Sequence, residues 1–268
     1  MSNQGQSREH PFLDTSRPHP ARMYDYFLGG KDNFPADREA GDEVLTAWPE
    51  VREGVRENRA YLRRVVSFLA REAGIRQFLD IGTGIPTQGN VHEVAQAVVP
   101  DARVVYVDND PIVHVHANAL LAGETTSIIL ADLREPETIL DHPEVRQAID
   151  FGEPFAVLLL AILHFVSDDE DPARIVAAFR KAMSPGSFLA ISHVTADFSP
   201  ETTERAARVY DRAAARLIPR GGAEIGRFFD GLDLVEPGLV PIQRWRPRGQ
   251  PAQLRGGMYG GVGRKPSG

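Results

Sequence analysis

The sequence predicts an α/β protein with a Rossmann-like, doubly wound, mostly parallel seven-stranded sheet. An antiparallel last strand and an N-terminal helical extension complete the expectation. Apolar, β-branched runs alternate with amphipathic stretches of helical period from about residue 75 to 192, as repeated strand–helix units do. The first run, Phe78-Leu79-Asp80-Ile81, breaks at Gly82-Thr83-Gly84 and recovers into a helix expected near Thr87 to Val98. A second run, Arg103 to Asp108, ends in an acid.

At 268 residues the chain suits one large α/β domain or two small ones. No internal repeat or composition shift marks a second domain. Residues 1–18 read as a disordered or loosely attached N-terminus, and 19–268 as a single domain. Within it, 19–74 form a helical extension or lid and 75–268 the core. The net charge of −7 and the absence of a basic block disfavour nucleic-acid and anionic-membrane partners. The absence of cysteine removes disulfides, thiolate nucleophiles and Cys-ligated zinc. The polar N-terminus lacks a signal-peptide core, and the apolar run 156–163 is too short to span a bilayer. A cytoplasmic protein with no membrane partner is expected.

The stretch ARMYDYFLGGKDNF supports two readings: a short helix capped by glycine, or a flap bringing Arg22, Tyr26, Lys31 and Asn33 to a site. Helices should follow at about 36–46 and 50–73. In the second, Val51, Val55, Leu62, Val65, Val66 and Leu69 recur at helical spacing, and Gly74 is a suitable stop. The glycine turn after the first strand lets a ligand approach the backbone, with the next helix's amides facing it. The glycines do not complete a G-x-G-x-x-G fingerprint, so alone they are a weak signal.

Asp108 ends the second strand, where a carboxylate can accept hydrogen bonds from ribose hydroxyls. Its other reading is a helix cap, because Asn109-Asp110-Pro111 opens the next helix. That helix, about 111–121, carries His114 and His116 two apart, too divergent to share a metal, and no metal is expected. A third strand, 127–131, leads to Asp132, which either reaches an adenine amino group or caps a turn. A helix over 138–149 precedes the continuously apolar strand 155–161, which suits a central parallel strand. A helix to Ala182 and a strand over 187–192 come next. His164 and His193 follow adjacent strands, on the edge where open α/β sheets bind ligands. Each reads as a buried structural histidine or as a general base near neutral pH. Helices at 199–217 and 223–231 lead to two strands around a Gly/Pro/Gln-rich loop.

LDIGTGIPT, YVDNDP, ADLREP and the apolar strand ending in LHF resemble the successive motifs of class I S-adenosylmethionine-dependent methyltransferases. ARMYDYFLGGKDNFPADR, IGTGIPTQGNVHEVAQ and GVGRKP resemble, more narrowly, an actinobacterial family of S-adenosyl methyltransferases largely without assigned substrates. The resemblance covers about 18–266. It implies that Asp80, Gly82 and Gly84 line the methionine moiety, with Thr83 also in the cofactor site and Pro86 where many class I enzymes have a third glycine. It implies ribose contacts from Asp108 with Asn109 beside it, adenine contacts from Asp132 and Leu133, and backbone atoms of Ala161 near the sulfonium. The class hairpin would insert the last strand beside the fifth.

The cofactor expected is S-adenosyl-L-methionine, with S-adenosyl-L-homocysteine as product. The methyl acceptor is unidentified, and the acidic balance leans toward a small molecule. No DPPY- or NPPY-type stretch follows the fourth strand, which argues against methyltransferases acting on exocyclic base amines. His164 and His193 are the candidate bases for a hydroxyl acceptor. The rival readings are a non-catalytic S-adenosylmethionine-binding sensor or scaffold, and an NAD-dependent oxidoreductase. A homodimer is among the assemblies the sequence allows.

Overall fold

Strands buried along their whole length must be covered on both faces, as the first, fourth and fifth strands of this chain are. The computed structural model describes residues 14–86, 89–121, 123–247, 249–250 and 257–267. Parallel strands β1 (Gln77–Ile81), β2 (Arg103–Asp108), β3 (Thr126–Leu130), β4 (Ala156–Leu160) and β5 (Phe188–Val194) form its core. With β6 (Asp233–Leu234), β7 (Val240–Pro241) and β8 (Met258–Arg264), the sheet order is β3-β2-β1-β4-β5-β8-β6, β7 also pairing with β8. Side chains alternate between two cores. Phe78, Val104, Tyr106 and Leu158 join one, and Leu79, Ile81, Val105 and Val107 the other.

The expected antiparallel insertion is present. Strand β8 (Met258–Arg264) pairs with β5 from Phe188↔Arg264 to Val194↔Met258. The sheet has eight strands rather than seven because the first arm of the closing hairpin is split into β6 (Asp233–Leu234) and β7 (Val240–Pro241). Glu236-Pro237-Gly238 separates the two pieces, and proline has no N–H for a ladder.

The N-terminal extension forms α1 (Pro20–Leu28), α2 (Pro35–Ala47) and α3 (Val51–Arg71). Gly29, at φ 84°, caps α1 in the left-handed conformation that glycine adopts without a steric penalty. Helix α3 is docked on the sheet by Tyr61, whose buried hydroxyl lies 2.9 Å from the Gly261 carbonyl and 3.2 Å from that of Ile191. Residues 1–13 of the expected loose N-terminus lie outside the described residues. Residues 14–18 are attached: Arg17 Nη2 donates to the Ala213 carbonyl, and the Ala214 amide donates to Pro18.

Several helices are shorter than the periodicity predicts. Helix α4 (Val91–Gln96) starts after Asn90, where the Glu93 carboxylate accepts from the Gly89 and Asn90 amides. The expected start at Thr87 lies outside the described residues. The helix expected over 138–149 is two, α6 (Pro136–Leu140) and α7 (Pro143–Ala148), because Pro143 lacks the amide a continuous helix needs. Helix α5 (Pro111–Leu121) follows β2, and α8 (Pro172–Ala182) precedes β5. Helix α9 (Pro200–Tyr210) stops well before Leu217, and the Ala214 and Ile218 amides beyond it donate to Pro18 and His164. Helix α10 (Gly222–Arg227) packs Ile225 into the second core.

Candidate functional site

A cavity of about 420 Å³ lies at the C-terminal ends of β1 to β4, lined by Asp80, Gly82, Thr83, Gly84, Asp108, Asn109, Asp132, Leu133 and Ala161. Parallel strands end there together, so the turns following them meet on one edge. At the first turn, Gly82 has φ 74°, and a Cβ on it would lie 2.5 Å from Ile162 Cγ1. Its glycine is therefore required by packing within the protein. Gly84, at φ 66°, has no atom within 4 Å of that position, and its amide donates to Asp108 Oδ2 over 2.8 Å.

Three carboxylates stand along this edge in different electrostatic states. Burial pushes Asp80 up to about 7, against the opposing pull of the Arg59 guanidinium on α3. Burial likewise raises Asp108 to about 6, although the Asp110 and Gly84 amides donate to its two oxygens. At Asp132 burial is outweighed by the Arg134 amide, the Asn109 side chain and the Arg134 charge, and the carboxyl stays below its ordinary value. Asp108 is thus not the side-chain cap of α5; Asp110 fills that place, accepting from the Ile112 amide at 2.9 Å.

Ala161 follows β4 with φ 57°, unusual for a residue with a Cβ. A hydrogen-bond chain holds it. Its amide donates to Ser192 Oγ at 2.9 Å, Ser192 Oγ donates to Asn58 Oδ1 at 2.6 Å, and Asn58 Nδ2 donates to Tyr24 Oη at 3.0 Å. Tyr24 in turn donates to the Val55 carbonyl. The chain runs from α1 through α3 to the sheet and fixes the wall of the cavity beside β4.

The two histidines expected as bases are placed elsewhere, which corrects that expectation. Neither lines the main cavity, and both are buried. Strand β5 runs through Val194, so His193 is a strand residue on the opposite face from Ser192. Its Nδ1 donates to the Val194 carbonyl at 2.7 Å, and its Nε2 accepts from Arg220 Nη1 at 3.2 Å. Burial, with the Arg220 charge beside it, lowers His193 to about 3 despite the Val194 hydrogen bond. His164 sits in a short 3₁₀ turn, its Nδ1 accepting from the Val194 amide at 3.3 Å. Burial, then His193 and Arg220, hold it well below its ordinary value.

Of the four lid residues expected from the sequence, only Arg22 lines the cavity. Its guanidinium donates to the Asp14 and Arg17 carbonyls and lies 3.6 Å from Asp37 and 3.5 Å from Asp110. Tyr26 is turned toward Asp42, to which it donates at 2.6 Å. Lys31 is exposed, and Asn33 is spent on Asp25 and Gly30. Pro86 does not line the cavity, whereas Ile85 does. Tyr24, Asn58 and Arg59 line it without having been singled out in the sequence. Among the described residues, no group of three or more His, Asp or Glu is placed to hold a metal ion.

A family model described as S-adenosyl methyltransferase matches residues 6–266. The chain belongs to this family. A DUF574-family protein of Streptomyces avermitilis is 48% identical, with TM-score 0.92, over 95% of this chain and all of the other. A protein of Thermobifida fusca, proposed to be a methyltransferase, is 46% identical with TM-score 0.90, over 96% of this chain and 98% of its own. At fold level only, an S-adenosylmethionine-dependent methyltransferase of Anabaena variabilis aligns with TM-score 0.53 at 13% identity, over 93% of this chain and 97% of its own. No curated protein matches the chain.

The protein is accordingly an S-adenosylmethionine-dependent methyltransferase whose acceptor is not identified. The NAD-dependent oxidoreductase reading is set aside by the same match. The cavity suits the cofactor: its volume lies within the range of small-molecule sites, and it offers both carboxylates and apolar walls. No helix among the described residues is long and apolar enough to cross a membrane.

Proposed function

We propose that this methyltransferase acts on a small molecule and that the cavity residues divide the cofactor among them. On this reading Asp108 accepts from the ribose hydroxyls, with Asn109 beside it. Asp132 and Leu133 flank the adenine, and Asp80 with the Gly82–Gly84 turn faces the methionine moiety. The Ala161 backbone borders the sulfonium. The observation supporting the reading is a single cavity that carries all these groups beneath a roof of Asp14, Arg17, His19 and Arg22. A roof tied down by backbone contacts suits a compact acceptor better than a polymer strand.

Bound S-adenosylmethionine supplies an electrophilic methyl group. Transfer of that methyl to an acceptor lone pair would return the C–S bonding pair to sulfur and release a proton from the acceptor. The protein's share is alignment: the Tyr24–Asn58–Ser192 chain holds the Ala161 wall, and the roof limits the acceptor's orientations. A cytoplasmic site of action is part of the same proposal.

Calorimetric titration with S-adenosylmethionine, S-adenosylhomocysteine and NAD tests the cofactor roles. Micromolar binding of the first two, weakened in Asp108→Ala, supports the assignment; unchanged binding in that variant sinks the ribose role. Isotopically labelled methyl transfer to fractionated small-molecule, protein and nucleic-acid extracts tests the acceptor class. Label confined to protein or nucleic acid overturns the small-molecule reading.

A further inference from the structure

A second, smaller void of about 50 Å³ adjoins the cofactor cavity, sharing Pro20, Tyr24, Ala161 and Phe165 with it. Its walls come from α1, α2, α3, α9 and the end of β5, and include Trp48, Val55, Val194 and Ala206. Close-packed interiors retain few spaces larger than a water molecule, so an apolar space opening beside Ala161 calls for an explanation.

Two residues lining this void each carry one polar side-chain atom with no hydrogen-bond partner among the described residues. His164 is 97% buried, given its 3% exposure, and its Nδ1 is the acceptor of the Val194 amide. The neutral ring therefore carries its proton on Nε2, which no described residue accepts. Tyr210, also buried, has a hydroxyl with no hydrogen bond to any described residue. Phe165 lies between these rings, its centroid 4.5 Å from that of His164 and 5.6 Å from that of Tyr210. Neither atom is among the fully enclosed unpartnered ones, so both donors are open to whatever fills the void, and a polar ligand atom there would match them.

We propose that this void receives the leading edge of an aromatic or compact apolar acceptor, whose polar atom meets His164 Nε2–H and Tyr210 Oη. The inference rests on the methyltransferase reading and deepens it by naming the acceptor's chemistry. The remainder of the acceptor occupies the main cavity, next to Ala161. His164 then serves as a hydrogen-bond donor that selects the substrate, not as the base that deprotonates it.

The test titrates phenol, toluene, indole and acetamide into the protein saturated with S-adenosylhomocysteine, followed by calorimetry. Phenol should bind more tightly than toluene by about 3- to 10-fold, the span of one ordinary hydrogen bond. That difference should vanish in His164→Phe and in Tyr210→Phe. Ala206→Leu, which fills the void, should abolish phenol binding, and Val55→Ala, which widens it, should tighten indole. The opposite signs guard against a variant that merely fails to fold, and melting curves check each one. Acetamide binding as well as phenol, or no aromatic binding to a protein that binds S-adenosylhomocysteine, overturns the proposal. Failure of S-adenosylhomocysteine itself to bind would instead remove the cofactor assignment on which the proposal rests.

Discussion

The amide of Gly84 donates to Oδ2 of Asp108 across 2.8 Å, tying the turn after β1 to the end of β2. The Asp110 amide takes the other oxygen at 3.0 Å. Asp108 is thus anchored before any ligand arrives, and its remaining lone pairs face the cavity. Asp108→Ala should weaken S-adenosylhomocysteine binding roughly 10- to 100-fold, as losing hydrogen bonds to a charged group does. Calorimetry checks it.

Asp80 should make stability depend on pH in an unusual direction. Its carboxyl titrates near 3.8 when unfolded and near 7 when folded, because burial disfavours the charge. The fold therefore holds the proton more tightly than the unfolded chain does. The favourable contribution is complete below about pH 3.8 and is lost as pH rises through about 7. Asp80→Asn should accordingly raise the melting temperature most above pH 7, and the gain should fade toward pH 4. A difference between the two proteins that stays constant with pH would refute the assignment.

Gly82 is held by Ile162 rather than by a ligand. Gly82→Ala should cost about 1–3 kcal/mol, combining a left-handed φ with overpacking against a β-branched side chain. Adding Ile162→Ala should recover part of the loss. Denaturant titration of the single and double variants measures both.

Arg22 lies between two buried carboxylates, Asp37 and Asp110, while its terminal nitrogens hold the Asp14 and Arg17 carbonyls. Arg22→Met should destabilise the protein by about 3–5 kcal/mol, the range for uncovering a buried charge. Arg22→Lys should recover only part, since one ammonium cannot reach two carbonyls and two carboxylates. Proteolysis at residues 14–18 should quicken in both variants.

His193 should prove dispensable for chemistry. His193→Gln is expected to leave methyl transfer within about threefold, whereas loss of a general base costs about 10²–10⁴. Its effect should appear in stability, because Arg220 Nη1 loses its ring acceptor.

The five parallel strands were legible because each is a short, largely apolar run bounded by turn residues, and the order of acids at Asp80, Asp108 and Asp132 marked one edge of the sheet. What escaped is tertiary. His193 looked like a strand-end residue, but β5 continues for two residues beyond Ser192, and the alternation of the strand turns its ring away from the cavity. Tyr24, Asn58 and Arg59 reach the site only because α1 and α3 fold back over the sheet, and nothing local in their helices announces it. Tyr26 illustrates the converse: two positions along α1 from Tyr24, it faces Asp42 instead.

The place of β8 also bears on how the chain folds. Strand β5 has all seven residues buried, yet one whole edge of it stays open until β8 arrives from Met258 onward. Closing such a distant pairing is entropically slow, and an open apolar edge is a template for other chains. The intermediate with five parallel strands formed and β8 still free is therefore the species most exposed to aggregation. Yield on refolding should fall with protein concentration, and β5 amides should gain hydrogen-exchange protection later than those of β1.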